Sequence, residues 1–125
     1  MRFFIKLVTL FFLSTNLLAS SIDIDNATIR LMPASAKMTA GYFIFANKDN
    51  KEIVLVGAKS NFFKHIEIHQ SLKDGDVMKM IKKNSVSIPP NSKLEFKPMG
   101  YHLMLMQPTD KISENQSIEI TLSFA

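Results

Sequence analysis

His69, Met80, His102 and Met104 are soft or borderline metal donors in a chain that contains no cysteine. The last two stand at i and i+2 in Tyr101-His102-Leu103-Met104. Alternate residues of a strand leave the same face about 7 Å apart along the backbone, within reach of long side chains that meet at one ion. Thioether sulfur is soft and neutral and imidazole is borderline, so two histidines and two methionines suit Cu(I). Zinc favours thiolate, imidazole and carboxylate, and calcium or magnesium needs an oxygen shell that this set lacks. With no thiolate, a blue-copper ligand set and a cysteine-held structural zinc are both excluded.

The elements that must position these residues read as strands. Ile22 and Ile24, then Ile29 with Leu31, frame an opening strand or pair of strands with a turn or bulge near Asp25-Asn26. Ala40 to Phe45 is aromatic and branched, and a further strand begins at Ile53 and Leu55. From Phe62 to Gln70 the period is two. Phe62, Lys64, Ile66 and Ile68 share one face, expected toward the core, and Phe63, His65, Glu67 and His69 share the other. After the turn Lys73-Asp74-Gly75-Asp76, Val77 to Ile81 puts Met78 and Met80 on one side. Ser85 to Ile88, Leu94 to Phe96, Tyr101 to Met106 and Ser117 to Phe124 complete the series. Seven to nine short strands without a helix predict an all-β, antiparallel β-sandwich with Greek-key connections.

The first nineteen residues stand apart. Arg2 and Lys6 give a basic start, Leu7 to Leu13 an apolar run and Leu17-Leu18-Ala19 an approximate cleavage box, the pattern of a secretory signal peptide over residues 1–19. Residues 20–125 are then expected to form one exported domain, not inserted in the membrane after cleavage. Removing Arg2 and Lys6 takes two positive charges from the formal +4 and leaves +2. The remaining lysines are scattered among acids without a basic track or stacking platforms, which argues against a nucleic-acid binder. Lys79, Lys82 and Lys83 read as solvated surface. In an oxidising compartment a chain without cysteine has no disulfide, so stability rests on sheet packing.

The mature region keeps seven methionines, Met32, Met38, Met78, Met80, Met99, Met104 and Met106. Any one alone is an ordinary core filler; gathered around His69 and His102 they point to soft-metal chemistry. Ten residues separate His69 from Met80, twenty-one separate Met80 from His102, and one separates His102 from Met104. That spacing resembles the metal motif of the exported copper chaperones of the PCu(A)C family. Ala40-Gly41-Tyr42-Phe43, Val77-Met78-Lys79-Met80 and the run from Lys97 to Met106 are also similar to the family pattern, and the resemblance extends over most of residues 22–124.

The resemblance implies a cupredoxin-like sandwich that binds one Cu(I) per chain near its surface. It implies His69, Met80, His102 and Met104 as the ligands, and delivery of copper for assembly of cytochrome c oxidase. The partner is then a copper-receiving protein, an oxidase subunit or another copper chaperone, and the carrier a non-enzymatic monomer. Two positions depart from the pattern: Ser71 stands where many members have methionine, and Met99 where glycine is frequent. Met78, Met106 and His65 share faces with the proposed ligands, where Met78 and Met106 read as packing neighbours and His65 as surface.

Two other functions are compatible with the residues. A copper redox enzyme would use His69 and His102, but two thioethers favour Cu(I) and oppose turnover. An exported protein-binding or assembly module would recruit a partner through a sheet edge without metal. Hydrolysis has weaker support, because Ser71 near His69 lacks a nucleophile elbow and an acid partner.

Overall fold

The computed structural model describes residues 21–125, so the expected signal peptide lies outside the described residues. Nine strands follow in chain order: β1 (Ile22–Ile29), β2 (Met38–Asn47), β3 (Ile53–Lys59), β4 (Phe63–Asp74), β5 (Val77–Lys83), β6 (Val86–Ile88), β7 (Ser92–Phe96), β8 (Tyr101–Pro108) and β9 (Thr121–Phe124). They form a six-stranded sheet of order β1-β2-β7-β8-β4-β5 and a three-stranded sheet of order β6-β3-β9. The result is an all-β, cupredoxin-like sandwich. All pairings are antiparallel except one parallel bridge, Phe96 to Tyr101, between β7 and β8. β2 divides its length between two neighbours, pairing through residues 38–41 with β8 and through residues 43–47 with β7.

Strand alternation sorts the large sheet into two faces. Phe43, Phe45, Ile66, Ile68, Leu103 and Leu105 are buried and point between the sheets, where Leu55, Val86 and Ile88 of the small sheet meet them. Tyr42, Glu67, His69, His102, Met104 and Met106 have the opposite parity and occupy the outer face. Asn47, at the end of β2, is 1% exposed. Its Nδ2 donates to the carbonyls of Lys51 (2.9 Å), Ile88 (3.0 Å) and Pro89 (3.1 Å), and its Oδ1 accepts from the Asp49 N–H (2.9 Å). One amide thereby joins the end of the large sheet to the β6 edge of the small one.

The expected irregularity near Asp25-Asn26 is present: the β1–β2 register shifts between Asp25 and Thr28, and Asn26 has φ 52°. Two expectations need correction. Phe63 is 3% exposed whereas Phe62, assigned to the core face, is half-buried and precedes β4. The two rings pack edge to face with centroids 5.3 Å apart, so at the mouth of the strand both aromatics serve one cluster and alternation fails. Residues 117–120 are outside the sheet, and β9 begins at Thr121. Ile118 and Ile120 pack against the core from this segment, which explains an alternating apolar pattern that is not matched by strand pairing.

Replacing Asn47 by Ala removes its buried bond to the Ile88 carbonyl, a loss of about 1–3 kcal/mol, together with its part-buried bonds to Lys51, Pro89 and Asp49. Urea unfolding of Asn47→Ala is expected to show a loss of about 2–4 kcal/mol with an unchanged slope.

Candidate metal centre

The centre is built on three adjacent strands, β5, β4 and β8. His69 of β4 lies directly opposite His102 of β8. The rings approach to 5.7 Å between centroids at an interplanar angle of 63°. Glu67 lies opposite Met104 in the next row of the same face. On the other side Ser71 lies opposite Met80, which makes Met80 a diagonal neighbour of His69. The four predicted residues therefore share one face of the sheet, with the histidine pair in the middle and a methionine to either side.

Each histidine is held by one ring nitrogen and leaves the other without a partner. His69 Nε2 donates to Glu67 Oε2 at 2.7 Å, and His102 Nδ1 donates to the Gly100 carbonyl at 3.3 Å. His69 Nδ1 and His102 Nε2 are buried and unpaired. A proton on the bonded nitrogen puts the lone pair of the neutral ring on the free one. Orientation of an imidazole by a carboxylate or carbonyl is the usual outer support of a metal-binding histidine. A buried nitrogen without a partner is costly and calls for an explanation, which a bound ion would supply.

Glu67 is the anchor. Its carboxylate also accepts from His65 Nε2 at 3.1 Å and faces Lys82 Nζ at 3.2 Å. Hydrogen bonds from His69 and then His65, with Lys82 adding to them, lower its pKa to about 2, so it remains an acceptor over the physiological range. His102 is 4% exposed, and burial lowers its pKa against the opposing bond to Gly100, with His69 lowering it further. It stays neutral, and able to ligate, where an ordinary imidazole has begun to protonate. A histidine pKa lowered in the fold contributes stability above the unfolded value, near 6.5, that is lost as pH falls through the folded value.

Gly100 closes the turn that delivers His102. The Gly100 N–H donates to the Lys97 carbonyl (3.1 Å), the Lys97 N–H to the Tyr101 carbonyl (2.9 Å), and the Ser71 N–H to the Gly100 carbonyl (3.0 Å). The same carbonyl thus ties β4 to the turn and orients the His102 ring. Met99 takes the left-handed conformation at φ 69° and is exposed. A side chain in that conformation is strained relative to glycine.

Above His102 opens a groove of about 310 Å³ whose lining includes Met32, Met38, Met80, Met99, His102 and Met104. His69 is not part of that lining and lies beside His102 on the adjacent strand. Met80 is 53% exposed and Met104 half-buried, so the face combines the buried His102 and the partly buried His69 with accessible sulfur. Among the described residues no group of three or more His, Cys, Asp or Glu side chains is arranged to hold a metal ion. An ion at this face would take its remaining donors from methionine, a set that fits a soft monovalent cation and not a hard divalent one. Sequence reasoning placed Glu67 on the correct face but gave it no role; the signal was the His65-x-Glu67-x-His69 alternation. The Gly100 carbonyl left no signal in a side-chain pattern.

Long-range proton–nitrogen NMR of the metal-free protein is expected to find His69 as the Nε2–H tautomer and His102 as the Nδ1–H tautomer, with His102 titrating below pH 6.5. The opposite tautomers, or a His102 midpoint at or above that value, would contradict this geometry.

Comparison with known proteins agrees with this architecture. Residues 22–125 match the family model described as "LpqE-like: Putative lipoprotein LpqE-like". The uncharacterized protein RP573 of Rickettsia prowazekii (strain Madrid E) is 31% identical over 127 residues, covering 85% of this chain and 70% of that protein. "Putative lipoprotein Lxx21020" of Leifsonia xyli subsp. xyli (strain CTCB07) is 28% identical over 108 residues, covering 86% of this chain and 64% of that protein. Among solved structures, the copper-bound PCuAC domain from PmoF2 superposes with TM-score 0.72 at 20% identity, covering 86% of this chain and 84% of that one. The apo PCuAC domain from PmoF1 does so with TM-score 0.70 at 21% identity, covering 84% and 83%. Those likenesses establish a shared PCuAC-type fold. By the match over residues 22–125, the chain belongs to the LpqE-like family.

Proposed function

We propose that this protein is an exported copper chaperone. It binds one Cu(I) through His69 Nδ1, His102 Nε2 and the sulfurs of Met80 and Met104, and surrenders the ion to a cuproprotein. The observation that carries the reading is the pair of buried, unpartnered ring nitrogens on directly opposed residues, each ring held from behind by a fixed acceptor. One solved domain of the same fold, that of PmoF2, is copper-bound, which makes copper the first ion to test.

Hand-over needs ligands that differ in accessibility. His102 is enclosed, whereas Met80 is more than half exposed and stands on the β5 edge of the large sheet. A donor from the recipient displaces Met80 first, while the two imidazoles keep the ion in place. Methionine loses little by leaving, because its thioether is neutral and returns to a surface where it is solvent-accessible. No covalent chemistry is required, and the protein acts as a carrier and not as an enzyme. The receiving protein is a copper-dependent oxidase, cytochrome c oxidase by the resemblance in motif, or another copper carrier. The site of action is the periplasm, where the chain works as a monomer, residues 1–19 serve as the export signal and residues 20–125 make the copper-binding domain.

Cu(I) titration against a competing chelator under reducing conditions tests the assignment. Wild type is expected to hold one tight equivalent, and His102→Ala and Met80→Ala to weaken it severely. Glu67→Gln, which removes the carboxylate that holds His69 from behind together with its bonds to His65 and Lys82, is expected to cost about 10- to 100-fold. Weak wild-type binding unchanged by these substitutions would favour a metal-independent protein-binding module.

A further inference from the structure

A second row of soft donors crosses the same face beyond the centre. His65 of β4 lies directly opposite Met106 of β8, and Met106 lies directly opposite Met38 of β2. Directly opposed residues on one face have Cβ atoms about 5 Å apart. One imidazole and two thioethers therefore stand side by side over three neighbouring strands. The His65 side chain is 58% exposed, Met38 is 53% exposed and Met106 is half-buried. These long side chains have no core to fill on this face. His65 Nε2 donates to Glu67 Oε1, which puts the lone pair of the neutral ring on Nδ1, as the same carboxylate does for His69.

We infer that His65, Met38 and Met106 form a second, outer Cu(I) site. One nitrogen and two sulfurs satisfy an ion that accepts low coordination, and the open surface gives weaker, faster-exchanging binding than the enclosed pair His69 and His102. The row between the two sites contains Glu67 and Met104. Glu67 supports a histidine of each site, and on β8 Met104 stands between His102 and Met106 on the same face. An ion captured at the outer row thus has a sulfur midway on its path to the inner one. Copper as the cargo rests on the proposed function, but the three outer ligands are separate from the four proposed for the inner site.

The test uses Met38→Leu/Met106→Leu, which removes both sulfurs at nearly constant volume and leaves the bond from His65 to Glu67 intact. Cu(I) is titrated with competing chelators of two strengths, and methionine methyl groups are followed by carbon-13 NMR. Wild type is expected to take a tight first equivalent and a weaker second one, with the Met38 and Met106 methyl signals moving during the second. The double variant should take the first equivalent with affinity within about threefold of wild type and lose the second. A wild-type stoichiometry of one, or a double variant that still binds two, overturns the outer site. His102→Ala separates the two assignments: if the inner site is wrong, this variant keeps the tight equivalent, whatever happens at the outer row.

Discussion

The register of β4 against β8, fixed by the apolar side chains between the sheets, is the constraint on which the His69–His102 face depends. Because side chains alternate along a strand, shifting β4 by one residue against β8 would send His69 into the apolar core and bring Ile68 to the outer face. Burial prevents the slip. Ile66, Ile68, Leu103 and Leu105 are all buried and interlock between the sheets, and the loss of even one such side chain's burial costs about 1.5–3 kcal/mol. The hydrophobic core therefore sets the register, and the register sets the metal face. Met80 depends on the same logic one strand further out, where β5 pairs with β4 through seven opposed residues.

Within that frame, the copper site we propose balances retention against release. Burial makes His102 a neutral, preorganised donor, and Glu67 and Gly100 fix the two rings by their rear nitrogens. Such support removes the rotational freedom that binding would otherwise have to restrict. In the proposed set Met80 and Met104 supply sulfur that solvent can reach, and the methionines around the groove would give a receiving protein a deformable, polarizable surface. Lys82, opposite His69 and against Glu67, leaves the neighbourhood of the rings less negative than a bare carboxylate would. That arrangement discourages hard divalent ions, which need anionic oxygen, while neutral sulfur remains available to Cu(I).

Much of this could be read from residues alone, because alternation is a local property. Most strand positions and the common face of His65, Glu67 and His69 follow from a period of two, and the bulge at Asp25-Asn26 from residues that favour a turn. What alternation cannot reveal is which strand lies next to which. That β8 sits between β4 and β2, bringing Met106 between His65 and Met38, is decided by contacts far apart in sequence. The two mismatches have the same origin. Ile118 and Ile120 alternate because they pack on the core, and without a paired neighbour they form no strand. Phe62 and Phe63 are consecutive yet share one aromatic cluster, since at the mouth of a strand both faces meet packed residues. The role of the Gly100 carbonyl was invisible because backbone acceptors are common to every residue.

Two imidazole nitrogens and two thioether sulfurs meeting at one ion are the central claim. X-ray absorption at the copper edge of the protein loaded with a single equivalent of Cu(I) measures that shell directly. The expected result is a mixed shell with two imidazole nitrogens and two sulfurs, and loss of one sulfur in Met104→Leu. A shell made only of nitrogen and oxygen, or one unchanged in Met104→Leu, would contradict it.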